Sequence, residues 1–144
     1  MNQETGETNS AMEKAGTYFV NGFHCAEAVA AAVLETLGEE PGEATAHATA
    51  FGGGFGGTYM EACGALSGSL IAIGHLHGRR TPGGQWKLPA ELGADIRSRF
   101  LSAFGTTNCA ALRDIFGEEN QSTECLRVVK ETTRSLMEIL IAGP

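Results

Sequence analysis

Cys25, Cys63, Cys109 and Cys125 are the four cysteines of the chain, and each stands near the apparent start of a different helix. A helix N-terminus presents unpaired N–H groups and a partial positive charge, which favour a thiolate over a thiol. Thiolates attack disulfides and bind metals, so sulfur chemistry is the first expectation. Cys25 opens an Ala-rich run to Leu37 that Gly38 closes. Cys109 follows Thr106-Thr107-Asn108, and Asn is a strong N-cap; Cys125 follows the capping cluster Ser122-Thr123-Glu124. Cys63 differs. Thr58-Tyr59-Met60-Glu61 has the form of a capping box, which predicts that Cys63 lies one turn inside its helix. Cys25 and Cys109 have the clearest helix starts and are the leading candidates for a lowered pKa.

The cysteines are separated by 38, 46 and 16 positions and form no C-x-x-C pair, so thioredoxin-like and zinc-ribbon patterns are absent. A single cysteine could equally be a small buried apolar residue. Four in similar contexts point instead to one shared site where all four sulfurs converge, as redox-active thiols or as metal ligands.

Around them stand further candidates. Phe51-Gly52-Gly53-Gly54-Phe55-Gly56-Gly57 could turn successive N–H groups toward an anion such as a phosphate, a thiolate or sulfide. It has no Lys-Ser/Thr and follows no strand, so neither a P-loop nor a dinucleotide fingerprint fits. A tight turn against a neighbouring helix explains the loop as well. Gly53, Gly54 and Gly64 are the candidate cofactor contacts, since glycine lets a backbone or cofactor approach a sulfur. Gly64 and Gly68, four apart, also make a smooth face for helix packing. His24 could serve Cys25 as base or cation, although an exposed helix-start residue is the plainer role. His47, His75 and His77 show no ligand pattern, Arg79-Arg80 suits a solvated turn, and Trp86 suits packing.

The elements that must position these residues are helical. Apolar periodicity predicts helices over about 10–20, 25–37, 43–50, 59–76, 89–105, 109–116 and 123–142, with no strand alternation. The expected fold class is all-α: a single compact helical domain of about six to seven helices with a Gly-rich loop, spanning 10–144 after a polar N-terminal tail, 1–9.

At 144 residues the chain can bury a core without staples. A net charge of −7 argues against nucleic acid and anionic membranes. Glycine contributes 20 residues, about twice the usual share of roughly 7%. The polar N-terminus does not read as a secretory signal, and the most apolar stretch, Leu66 to Leu76, is too short for a span of about 20 residues. A cytoplasmic location is expected, where thiols stay reduced and cysteines more often serve metals or catalysis.

Cys25, then Cys63-Gly64-Ala65-Leu66-Ser67-Gly68, then Cys109 and Cys125 resemble the pattern of the redox-active protein family called C_GCAxxG_C_C. The resemblance covers nearly the whole chain, includes a preceding Gly-rich stretch, and implies an α-helical domain with four shared cysteines and a redox role. His24 departs from it where a smaller polar residue such as Asn is expected.

Three functions stay open. Four thiolates could hold an iron–sulfur cluster for electron transfer, within one chain or across a homodimer. They could form a metal-free thiol–disulfide oxidoreductase or redox sensor. They could hold a structural zinc in a partner-binding protein. Ligands far apart in sequence suit a rigid cage, so the cluster is preferred, with an electron-transfer or thiol partner.

Overall fold

The computed structural model describes residues 3–143; Met1, Asn2 and Pro144, the ends of the expected tail and domain, lie outside the described residues. Among the described residues the chain is all-α, with seven helices: α1 (Gln3–Val20), α2 (Cys25–Thr36), α3 (Gly42–Ala48), α4 (Gly64–His77), α5 (Lys87–Phe104), α6 (Cys109–Phe116) and α7 (Gln121–Ala142). Short three-ten turns follow α3 and α6, at Thr49–Phe51 and Glu118–Asn120. The nearest approach to a strand is a single bridge between Ala62 and Asn108.

α2 is the axis of the fold. Every residue from Ala26 to Leu34 is buried, so this helix has no polar face and must be surrounded. α1, α3, α4 and α7 all pack on it, and α7 lies along α1. The core continues through Leu66 and Ile73 of α4, Leu92, Ile96 and Phe100 of α5, and Val129, Leu136 and Met137 of α7. Side chains of Val and Leu size each contribute about 1.5–3 kcal/mol when fully buried.

Four boundaries depart from the sequence expectations. α1 begins at Gln3, so the described part of the polar tail is helical; Thr8 is already buried there, one turn before Ala11 and Ala15. α5 begins at Lys87, which puts Pro89 in the first turn, where its missing N–H has no helical partner to lose. α4 starts at Gly64 rather than near Tyr59. The Thr58 hydroxyl bonds back to the carbonyls of Gly54 and Phe55 instead of capping a helix, and Tyr59 adopts φ +64°. Cys63 is therefore at the mouth of its helix. Conversely, α7 starts at Gln121, leaving Cys125 one turn inside.

α4 crosses α2 where both begin. A Cβ added to Gly68 would lie 2.3 Å from the Ala26 carbonyl oxygen and 2.8 Å from its Cα, and one added to Gly64 would lie 2.4 Å from Cys25 Sγ. Only glycine at both positions, one turn apart on one face, lets the two N-termini meet. The C-G-A-x-x-G segment is thus a packing device with a cysteine at its tip.

Candidate functional site

The four cysteines line one cavity of about 220 Å³, together with Gly53, Gly57, Tyr59 and Arg113 and an apolar wall of Phe19, Leu112, Phe116 and Val128. Each arrives on a different element: Cys25 as the first residue of α2, Cys63 as the N-cap of α4, Cys109 as the first residue of α6, and Cys125 on α7. All four are free thiols.

Cys25 and Cys63 meet where the N-termini of α2 and α4 cross. The Cys63 side chain is the largest influence lowering the Cys25 pKa from 9.0 to about 6. Burial opposes the shift, while the backbone N–H groups of Gly53, Ala26 and Gly64 support it. The thiolate thus sits where the N-termini of α2 and α4 and the Gly-rich loop converge, which is how dipoles and N–H donors stabilise an anion. Cys63 moves the other way. The neighbouring Cys25 side chain, its own burial and the Cys25 charge all keep its proton on.

Cys109 and Cys125 are both raised. For Cys109, burial acts first and the Cys25 charge second, against an opposing pull from Arg113. Cys125 follows the same order. The expectation that Cys109 would join Cys25 as a low-pKa thiol is therefore corrected. Its helix start is real, with the Asn108 side chain accepting from Ala111 N at 2.9 Å, but one short helix does not offset desolvation beside an existing thiolate.

The Gly-rich loop owes its shape to five consecutive residues with positive φ, Gly53 to Gly57, including Phe55 at +69°. A left-handed run of this length is open only to glycine-rich sequence. It aims the Gly53 N–H at Cys25 and brings Gly54 against Cys109, where an added Cβ would stand 2.7 Å from the Cys109 Cβ. Of the three glycines expected to contact a cofactor, Gly53 and Gly64 place their N–H groups toward the Cys25 sulfur, and Gly54 lies against Cys109. The segment after the loop is sewn to the start of α6: Cys63 N donates to Thr107 O at 2.7 Å, Cys109 N to Glu61 O at 2.9 Å and Ala110 N to Tyr59 O at 2.8 Å. The Asn108 side chain adds a bond to Met60 O at 2.9 Å.

His24 is exposed and precedes α2. It lines the cavity, but the groups that lower the Cys25 pKa are Cys63 and the backbone N–H groups of Gly53, Ala26 and Gly64. Three further residues matter that the sequence reading did not single out. Glu27 is buried; one carboxylate oxygen accepts from His24 N at 2.9 Å and the other from the Thr49 hydroxyl at 2.9 Å. It ties the start of α2 to the end of α3, and its three-residue spacing from His24 is a legible capping signal. Arg113, four positions after Cys109 and so on the same face of α6, places its guanidinium 4.0 Å from the centre of the Tyr59 ring. Tyr59 carries no sequence signal for its left-handed backbone.

The arrangement brings together one sulfur held toward ionisation, one neighbouring sulfur held toward protonation, and two more thiols across a partly apolar cavity. No curated protein and no solved structure matches the chain. A family model described as "Putative redox-active protein (C_GCAxxG_C_C)" matches residues 23–139, from just before Cys25 to well beyond Cys125. With that span taking in every cysteine and both helix-crossing glycines, the chain belongs to the C_GCAxxG_C_C family of redox-active proteins.

Proposed function

We propose that the protein is a thiol–disulfide redox protein in which Cys25 is the attacking sulfur and Cys63 the resolving one. The observation that carries this reading is that Cys25 opens α2 and Cys63 caps α4 where the two N-termini meet, with both sulfurs lining one cavity; the Cys25 pKa, lowered to about 6 chiefly by Cys63, supports it. At neutral pH such a sulfur is mostly thiolate, the species that attacks disulfides.

The chemistry closes in two displacements. The Cys25 thiolate attacks a disulfide R–S–S–R′, forming a Cys25–S–S–R bond and releasing R′S⁻. Cys25 is then neutral, so the charge that kept the Cys63 proton in place is gone. Cys63 gives that proton to R′S⁻ and attacks Cys25 Sγ, releasing RS⁻ and leaving a Cys25–Cys63 disulfide. Two electrons pass from the protein to the substrate, and an external thiol partner restores the dithiol by the reverse exchange. Cys109 and Cys125, held protonated, are reserve thiols beside the pair.

The convergence of four cysteines on one cavity favours a second reading, a Cys-ligated iron–sulfur cluster or a structural zinc. Four thiols are a suitable donor set for either. As placed, however, no three His, Cys, Asp or Glu side chains among the described residues are grouped to hold one metal ion. The sulfurs would have to swing together to hold one.

The test is to purify the full chain without oxygen, record its ultraviolet–visible spectrum and metal content, and equilibrate it against thiol–disulfide buffers with peptide mapping. A reversible Cys25–Cys63 disulfide in metal-free protein is the expected result. Stoichiometric iron with sulfide, or zinc that keeps both cysteines unreactive, would overturn it in favour of the metal reading.

A further inference from the structure

Arg113 is the cation of the four-cysteine cavity. Its guanidinium lies over the Tyr59 ring at 4.0 Å from the centre, within a wall otherwise made of sulfur, glycine and apolar side chains apart from His24. Among the described residues the arginine ion pairs involve Arg99, Arg127 and Arg134, and no ion pair joins Arg113 to a carboxylate. Cys25 does not depend on it either, because the thiolate is held chiefly by Cys63 and backbone N–H groups. A planar cation fixed by an aromatic face, with its charge uncommitted, is poised to bind a carboxylate in two-pronged fashion. In a chain of net charge −7, the general field repels anions, so local recognition of one needs such a group.

The cavity also limits size. About 220 Å³ falls below the roughly 300–1,000 Å³ typical of sites for drug-sized ligands. Phe19, Leu112, Phe116 and Val128 suit a short aliphatic body between a charged end and a reacting sulfur.

Resting on the thiol–disulfide reading above, we infer that this cavity takes a low-molecular-weight disulfide bearing a carboxylate, with Arg113 binding the carboxylate while Cys25 attacks the disulfide sulfur. The oxidant is the substrate itself: one R–S–S–R accepts two electrons and leaves as one thiol and one thiolate, which takes a proton from water, and the protein is left with the Cys25–Cys63 disulfide. Arg113 acts as the specificity-determining contact and takes no part in the electron transfer.

The experiment uses the reduced full chain and two small disulfide probes of similar length, dithiodipropionate (anionic) and hydroxyethyl disulfide (neutral). Acid quenching and mass spectrometry give the rate of Cys25–Cys63 disulfide formation with each. The wild-type chain is expected to prefer the anionic probe by roughly tenfold or more, as befits a charge-assisted hydrogen bond, and rising salt should erode that ratio. Arg113→Gln should bring the ratio to one or below, since the net charge then repels the anion, and Arg113→Lys should recover part of it. A wild-type ratio at or below one, or an unchanged ratio in Arg113→Gln, overturns the inference while leaving thiol–disulfide chemistry in place. Failure of both probes to oxidise the pair, in protein whose thiols are free to alkylation, overturns the thiol–disulfide reading and this inference with it. If Arg113→Gln does not fold, Arg113→Lys and the salt dependence of the wild-type ratio decide.

Discussion

Replacing Cys63 by Ala removes the S–H donor on which the Cys25 thiolate most depends, and the size of the effect can be worked out in advance. With its pKa at about 6, Cys25 is about nine-tenths thiolate at neutral pH; at the ordinary 9.0 it would be about one-hundredth. A hydrogen bond to a charged group contributes about 1.5–3 kcal/mol, equivalent to about 1–2 pH units. Cys63→Ala should therefore move the Cys25 midpoint to roughly 7–8, short of an ordinary thiol, because the N–H groups of Gly53, Ala26 and Gly64 remain. Cys63→Ser keeps an O–H donor in nearly the same volume and should move the midpoint less. The assay is alkylation of reduced, metal-free protein across pH, with the modified cysteine identified by peptide mass spectrometry and the fold checked by circular dichroism. A folded Cys63→Ala chain whose Cys25 midpoint is unmoved, or a wild-type Cys25 that titrates near 9, refutes the paired-sulfur account.

Gly68→Ala should destabilise the chain by about 1–3 kcal/mol through overpacking, because the new Cβ meets the Ala26 backbone at 2.3 Å and not a movable side chain; an unchanged melting temperature would mean that α2 and α4 are not in close contact there. Glu27→Ala leaves the His24 N–H and the Thr49 hydroxyl without their acceptor and should cost about 1–3 kcal/mol in denaturant titration, against little change if the carboxylate is idle. Because the folded Cys25 pKa is depressed, its contribution to stability is full above about pH 9 and is lost as the pH falls through about 6. The stability gap between the reduced wild-type and Cys25→Ser chains should therefore widen from pH 6 to pH 9, and a pH-independent gap refutes a buried thiolate. Cys109 is raised by burial and by the Cys25 charge, so Cys25→Ser should bring the Cys109 alkylation midpoint down; an unaltered midpoint would place the two sulfurs outside each other's field.

Helix identities were legible because each rests on local chemistry: the Asn108 cap of α6 and the glycines that close α2 and α5 act within a turn of the chain. All four cysteines line one cavity, but the helix-start contexts were only partly legible: Cys63 stands at a helix mouth and Cys125 one turn inside α7, the reverse of what their flanking residues suggest. The start of α4 was not legible, since Thr58 to Glu61 has the letters of a capping box while its backbone is held by bonds to Gly54 and to residues 108 and 110. Tertiary bonds overrode a local signal. The direction of the Cys109 shift was hidden for a related reason: a helix start can be read along the chain, but burial and the charge of Cys25 come from elements distant in sequence. Glu27 and Arg113 were readable by spacing alone, yet only their partners reveal what they do.

The stitching of residues 59–63 to 107–110 has a consequence for the order in which the protein is made. These bonds close a loop of more than forty residues, a long-range closure of the kind that slows folding. A chain growing from the ribosome has synthesised Cys25, the Gly-rich loop and Cys63 well before Thr107 exists. Until Thr107 and Ala110 emerge, the bonds that hold residues 59–63 against the start of α6 cannot form, so the mouth of α4 is fixed only by its packing on α2. The four-sulfur cavity is therefore completed last, when α6 and α7 bring Cys109 and Cys125 to face a Cys25–Cys63 corner that the first half of the chain already encodes.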